Sequence, residues 1–390
     1  LASTGFMMSG YFVGYFMGAR AIPNIISGVG HIRVFAAFAS MASLSILIHV
    51  VFVNPIVWTA ARFITGFSLV GIFIVMESWL NDRANNRTRG QLLSIYMFIT
   101  LIGISLGTLL LNFSSPEKYE PFILVSLLLS LALIPILLTK RKAPKFKKLG
   151  FIDIKGLYKT SPLSAVSMFC TGVIHSALFS LGAVYAASMN FTIFEISLLL
   201  FVITVCGGIF QWPIGYYSDK SDRRIIIIFC TFFAALFCFL SILASGTSLE
   251  NMYLATSVGI DKIMFFIYVS LYAGMAIPMF TLNLAYVNDY ISKEKFVAAG
   301  GGMQIIFGMG AMAGPFLCSL LMNKFGTNGF FVHLLFFHLV IGSFGLFRIT
   351  KRSYEDNPDS TFTPLPRNIT PLGIELDPTT GANITNPNEK

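Results

Sequence analysis

Residues Pro213–Arg224 read Pro-Ile-Gly-Tyr-Tyr-Ser-Asp-Lys-Ser-Asp-Arg-Arg. The stretch joins two long apolar runs, and almost no other charge occurs between residues 163 and 245. Two membrane-length runs held apart by a short, strongly basic loop predict a helical hairpin crossing a bilayer. Gly215 lets backbones approach closely at such a turn. Asp219, at the mouth of the hairpin, can accept hydrogen bonds from a helix N-terminus or pair with an arginine, forming a latch that can open. The plainer alternative is a solvated basic loop placed by topology alone.

Composition extends this reading to the whole chain. Of 390 residues, 55% are hydrophobic and 12% charged, against about 25% charged in soluble domains. The sequence predicts a polytopic membrane protein. Five cysteines, Cys170, Cys206, Cys230, Cys238 and Cys318, fall inside apolar runs. They read as small buried hydrophobes and not as a disulfide or metal framework.

Eleven runs are long enough to cross about 30 Å of hydrocarbon as helices. They are Ala2–Gly18, Val34–Val53, Ile56–Leu80, Leu92–Asn112, Phe122–Thr139, Leu163–Ala187, Ile196–Tyr217, Ile225–Ala244, Ile263–Asp289, Val297–Met322 and Phe330–Ile349. None alternates as a barrel strand does. The loops between them alternate in charge, with 21 Lys and Arg in one set and 3 in the other. The positive set marks the cytoplasmic side, which puts the C-terminus inside and Leu1 outside. The net charge of +9 is therefore topological, and no nucleic-acid partner is expected.

The basic segment 140–162 divides two bundles, 1–139 and 163–349. It is read as a cytoplasmic linker with a short interfacial helix near Gly150–Lys159. An internal repeat supports the division. Asn81-Asp82 is followed by Gly103 and Gly107, and Asn288-Asp289, Gly310 and Gly314 recur 207 residues later. Parallel repeats of six spans are a transporter plan. Near the basic loops the offset is 192, with Gly30 opposite Asp222; there Leu1 aligns with Ile193, so the repeat predicts one further helix ahead of Leu1. Residues 350–390, rich in Pro, Asn and Thr, read as a disordered cytoplasmic tail.

The Gly215, Asp219, Lys220, Arg223, Arg224 pattern resembles the loop signature of the major facilitator superfamily, with Asp222 where that family has Gly. In the first half, Ser27 stands where Asp219 stands in the second. Arg62 and Gly66 resemble that family's fourth-span Arg-x-x-x-Gly, whose Arg faces the central cavity and is tied to proton or substrate coupling. Val29-Gly-His-Ile-Arg33, Glu77-Ser-Trp-Leu-Asn-Asp-Arg83 and Ala285-Tyr-Val-Asn-Asp289 are similar to the YcaD-type bacterial facilitators. The resemblance covers about residues 1–350. It implies an all-α membrane protein of two six-helix halves in a bacterial inner membrane.

Apart from Arg348 at the edge of the last span, Arg62 is the only Lys or Arg within these spans. An intramembrane cation costs about 2.5–3.5 kcal/mol on insertion scales and marks a functional position by default. Snorkelling to the nearer headgroups is the alternative. Glu77, the acid well within a span, is open to pairing with the basic loop Arg83–Arg89 or to carrying a proton. His175, Asn283, Tyr268 and Tyr272, with Tyr11 and Tyr15, are candidate cavity donors. The glycines Gly103, Gly107, Gly310 and Gly314, with Pro315, are candidate sites of close helix packing.

These features predict a secondary transporter moving a small solute by alternating access, with membrane lipid around it and protons as the candidate coupling ion. No cofactor, no metal and no enzymatic activity are expected: the sequence has no phosphate-binding loop, carboxylate pair or nucleophile constellation. The alternative is a membrane sensor or scaffold that kept the fold without transporting.

Overall fold

Apolar runs about 20 residues long, punctuated by capping residues, dictate the elements of this computed structural model. It describes residues 1–139, 144, 152–245, 261–351, 353–354, 357 and 360–380. The first group of helices is α1 (Ala2–Val29), α2 (His31–Val51), α3 (Pro55–Arg83), α4 (Arg89–Leu109) and α5 (Glu120–Leu137). A short helix α6 (Ile154–Thr160) leads into α7 (Pro162–Ser188), α8 (Ile193–Ser218), α9 (Arg223–Ala244), α10 (Lys262–Ala276), α11 (Met279–Asn288), α12 (Phe296–Phe325) and α13 (Gly329–Ile349). The described residues include no strand.

Local chemistry sets the ends. Asn54 accepts hydrogen bonds from the Ile56 and Val57 amides ahead of Pro55, and Thr192 and Glu195 form a reciprocal capping box at α8. Asp222 caps α9 through the Arg224 amide at 2.9 Å, which gives the departure from Gly at that position a local purpose. Gly215 does not form the turn. It lies within α8, and the turn is made after Ser218. Pro278 lacks an N–H and divides the expected span Ile263–Asp289 into α10 and α11.

Ten helical stretches among the described residues are long and apolar enough to cross a membrane, with α10 and α11 counting as one. The helix α1 is outside that set although it has 28 residues. Its buried face is Gly5, Ser9, Gly10, Gly14, Gly18, Ile22 and Ile26, with a small residue at every position before Ile22. That face lets α3 and α12 pack directly on its backbone. A Cβ at Gly14 would lie 2.0 Å from the Phe63 carbonyl oxygen, and one at Gly66 would lie 1.9 Å from that of Tyr11. The Gly of Arg-x-x-x-Gly thus brings α3 against α1. By contrast, α5 buries none of its residues and is a peripheral, lipid-facing helix.

Two seams join the helix groups, α1 with α12 and α4 with α8. Within the second group, α7 and α12 touch backbone to backbone: a Cβ at Gly310 would meet the Phe169 carbonyl at 2.0 Å, and one at Gly314 the Val173 carbonyl at 2.3 Å. Gly103 and Gly107 have open space around them, so the first copy of the glycine pair makes no such contact among the described residues. The loops carrying Arg83–Arg89, Lys220–Arg224 and Lys293–Lys295 lie at one end of the bundle, called the basic end below.

The segment after Tyr354 corrects the expectation of disorder. Residues 360–380 follow a defined path that includes the short helix α14 (Pro371–Ile374). Leu365, Ile369, Ile374 and Leu376 are buried with Leu93, Leu157, Met303 and Phe280 in one apolar cluster. Leu157 draws α6 into the same cluster, so this short helix packs on the bundle and does not lie on lipid. Most of the expected linker, including Gly150, lies outside the described residues.

Candidate functional site

A cavity of about 950 Å³ lies between the two helix groups. Its walls come from α1 (Tyr11, Tyr15, Phe16, Arg20), α3 (Arg62), α7 (His175, Phe179, Ser180) and α12 (Gln304, Phe307). Asp153 and Lys155 border it at the basic end, and the tail contributes Arg367, Asn368 and Ile369. Arg62 sits about 10 Å along its helix from Pro55, at the end opposite the basic one. It has no ion pair or hydrogen bond among the described residues. The cavity-facing placement thus agrees with what the family motif implies.

The sequence counted one intramembrane cation; the structure brings more to this space. Arg20 lies within the longer α1, with its guanidinium 4.8 Å from the centre of the Phe16 ring. Arg367 arrives from the tail and stacks 3.5 Å from the centre of the Phe179 ring. Burial pulls the Arg367 pKa down to about 10, offset in part by Tyr11 and Tyr15, so it remains a cation at neutral pH.

His175 lines the cavity and has a structural task. Its Nε2 donates to the Ala276 carbonyl at 3.0 Å, a group exposed by the break between α10 and α11. The expected donors on the broken helix do not line the cavity. Asn283 is buried and donates to Thr171 at 3.3 Å. Tyr272 is buried in the core of the second group with its ring edge-on to His338. Tyr268 also lies outside the lining. Pro278 interrupts the helix between Tyr272 and Asn283, and a uniform helix drawn through the sequence misses that break.

Glu77 is fully buried and neither pairs with the Arg83–Arg89 loop nor faces the open cavity. Its carboxylate accepts from Tyr96 at 2.9 Å, from the Thr370 amide and hydroxyl, and from the Gly373 amide at 3.0 Å. Asn81, one turn on, donates to the Leu372 carbonyl at 2.6 Å.

At the basic end the loop of the second group makes its own cluster. Arg223 pairs with Asp219 at 2.6 Å and with Asp289, and also donates to the Ser360 carbonyl at 2.6 Å. Asp219 accepts the Phe362 amide at 2.8 Å. Gly215 supplies room for the Phe362 ring, which a Cβ would meet at 2.3 Å. Arg224 pairs with Asp222 at 2.6 Å, and Lys220 lies over the Tyr216 ring. Among the described residues the first group shows no such cluster at Ser27, whose hydroxyl donates to the Asn24 carbonyl, and His31 meets Ser78 at 2.8 Å. The glycine and acid of the signature therefore serve the tail as much as the loop. A sequence signal for that was present in Phe362, Leu365, Ile369, Leu372, Ile374 and Leu376, too many large apolar residues for a solvated tail.

Comparison with known proteins agrees with this architecture. A family model described as Major Facilitator Superfamily matches residues 1–282. The uncharacterized MFS-type transporter YcaD of Escherichia fergusonii is 23% identical over 330 residues, covering 84% of this chain and 82% of that one. An MFS-type transporter of Yersinia enterocolitica is 25% identical over 334 residues, with the same coverage of 84% and 82%. Among solved structures, a variant of the nucleoside transporter NupG superposes with a TM-score of 0.71 at 12% identity, over 88% of this chain and 90% of that one. With a family model covering most of its length and its helices arranged around a central cavity, this chain belongs to the Major Facilitator Superfamily of membrane transporters.

Proposed function

We propose that the chain is a secondary active transporter that moves a small anionic solute through this cavity by alternating access. One observation carries the reading: Arg62 faces the cavity with no carboxylate to pair with among the described residues. A cation in a low-dielectric site needs a partner, and an anionic solute supplies one. Arg20 and Lys155 add positive charge along the route, against Asp153. Planar guanidinium forks suit carboxylate or phosphate groups, which they bind with two hydrogen bonds.

The seams support a conformation closed at the end opposite the basic one. There Asn112 of the first group donates to Ser197 of α8 at 2.6 Å, and Gly5 of α1 lies against Ser319 and Pro315 of α12. The positive-inside rule makes the basic end cytoplasmic, so this is the inward-facing arrangement, with the C-terminal segment inside. The fold, its relatives and its solute-sized cavity point to transport and not to enzymatic catalysis.

The test is counterflow in proteoliposomes, which needs no ion gradient, using a solute chosen by thermal-shift screening of anionic, neutral and cationic metabolites. Arg62→Ala is expected to abolish both gradient-driven uptake and counterflow, and Arg62→Lys to impair both. Loss of gradient-driven uptake alone would move Arg62 to proton coupling. Normal rates in both assays would reduce it to a snorkelling side chain. No flux of any solute would favour the sensor or scaffold alternative.

A further inference from the structure

Among the described residues the seams leave the cavity open at the basic end, and the C-terminal segment occupies that end, held there by both helix groups. On the second group, Asn357 donates to the Asn288 carbonyl at 3.0 Å and Ser360 to the Ala285 carbonyl at 3.0 Å. Arg223, Asp219 and Gly215 then take Ser360 and Phe362. The chain crosses the cavity at Arg367 and Asn368, where the Tyr15 hydroxyl donates to the Asn368 carbonyl at 2.8 Å and Gln304 donates to that of Ile369. On the first group, Glu77 and Asn81 hold residues 370–373, and Arg89 donates to the Pro378 carbonyl at 2.8 Å.

From this bridge we infer that residues 360–380 are an intramolecular plug: they fill the inward-facing mouth, block solute passage and must withdraw for each transport cycle. Three features support it. First, the tail stands where the solute route opens, with Arg367 projecting into the cavity itself. Second, the walls are shaped for it. Gly215 and Gly300 face Phe362 and Ile374, and a Cβ at either would collide with those side chains at 2.3 and 2.8 Å. Third, the one carboxylate buried in the first group has the tail as its main partner. Of the groups that bond Glu77, only Tyr96 belongs to the bundle. Alternating access requires the basic ends of α3 and α4 to approach those of α8, α9 and α12. A segment bonded to both sides prevents that approach while it stays docked.

The consequence for transport rests on the function proposed above, but docking can be read without a solute. The full-length chain carrying Ser180→Cys would be labelled by a charged, membrane-impermeant thiol reagent applied at the basic end. The native cysteines lie within helices and give the background. The docked tail is expected to keep labelling slow. Gly373→Leu alters the tail alone; its Cβ would lie 2.7 Å from the Glu77 carboxylate carbon, so it should raise the labelling rate by at least about tenfold, a population shift of roughly 1.4 kcal/mol. A Gly215→Cys/Phe362→Cys pair should form a disulfide on oxidation, hold labelling slow in the presence of Gly373→Leu, and release on reduction. Equal labelling with and without Gly373→Leu in monodisperse protein, or failure of that pair to cross-link, would overturn the plug. If labelling follows these expectations while no solute moves under any condition, the plug stands and the transporter reading fails. If both hold, Gly373→Leu raises flux and the disulfide stops it.

Discussion

Replacing Arg223 by Met should be among the most damaging single changes outside the cavity, and the structure says by how much. The Arg223 side chain is 4% exposed, and its two carboxylate partners differ sharply: Asp289 is 1% exposed and Asp219 32%. Removing one member of a buried pair costs about 3–5 kcal/mol, because the surviving charge loses its counter-charge in a low-dielectric site. The half-solvated Asp219 contact is worth about 0.2–1 kcal/mol. Arg223→Met should therefore destabilise the protein by about 3–5 kcal/mol, most of it through Asp289. Asp219→Asn alone should cost about 1 kcal/mol or less. The double variant Arg223→Met/Asp289→Asn should recover most of the loss, since removing both charges leaves no buried ion. Ser360→Ala, which keeps the ion pairs and trims a tail contact, should cost about 1 kcal/mol. Detergent-driven unfolding in mixed micelles reads these differences as midpoint shifts at constant slope. The reasoning is refuted if Arg223→Met unfolds with the same midpoint as Asp219→Asn, or if Asp289→Asn brings no recovery.

Asp219→Asn should loosen the hold on Phe362 and so raise the Ser180→Cys labelling rate while leaving solute affinity nearly unchanged, because Asp219 touches the loop and tail and not the cavity; a collapse of affinity with an unchanged labelling rate would contradict this. Gly310→Val should destabilise by about 3 kcal/mol or more, since backbone oxygen faces the added Cβ, whereas Gly107→Ala should be neutral or gain up to about 1 kcal/mol from helix propensity; matched thermal melts distinguish them. Burial raises the Asp377 carboxyl above its ordinary range, against hydrogen bonds from Thr379 and Thr363 and the charge of Arg89. The docked state then binds the proton more readily than the released one, so docking should tighten as pH falls through the raised value and level off near the ordinary value of 3.8. Relative to a free thiol measured at each pH, slower Ser180→Cys labelling at pH 4.5 than at pH 8, with this difference lost in Asp377→Asn, is the expected result, and relative labelling that quickens on acidification would reverse the sign.

The spans and the hairpin around Pro213–Arg224 were legible in the sequence because each follows from local composition. An apolar run of about 20 residues has few alternatives to a membrane helix, and a hairpin needs only a short polar loop between two such runs. The repeat, the packing glycines Gly310 and Gly314, and the cavity-facing Arg62 were legible for a similar reason: each is a spacing or an isolated charge. The break at Pro278 was visible as a residue, but its effect on Tyr268, Tyr272 and Asn283 was not, since the turn it makes depends on what packs against it.

What only the tertiary structure decided is the fate of groups whose partners are remote in sequence. Glu77 and Thr370 are separated by 293 positions, Arg89 and Pro378 by 289, and Asp219 and Phe362 by 143. A tail of Pro, Asn and Thr has no periodicity with which to announce a helix or strand, so read alone it cannot offset the entropy of ordering. Its order comes from surfaces the bundle builds first: the notches at Gly215 and Gly300, the buried carboxylate of Glu77 and the apolar cluster around Met303. Those surfaces exist only after helices hundreds of residues apart have packed, and so the tail's place in the cavity is a property of the fold and not of its own sequence.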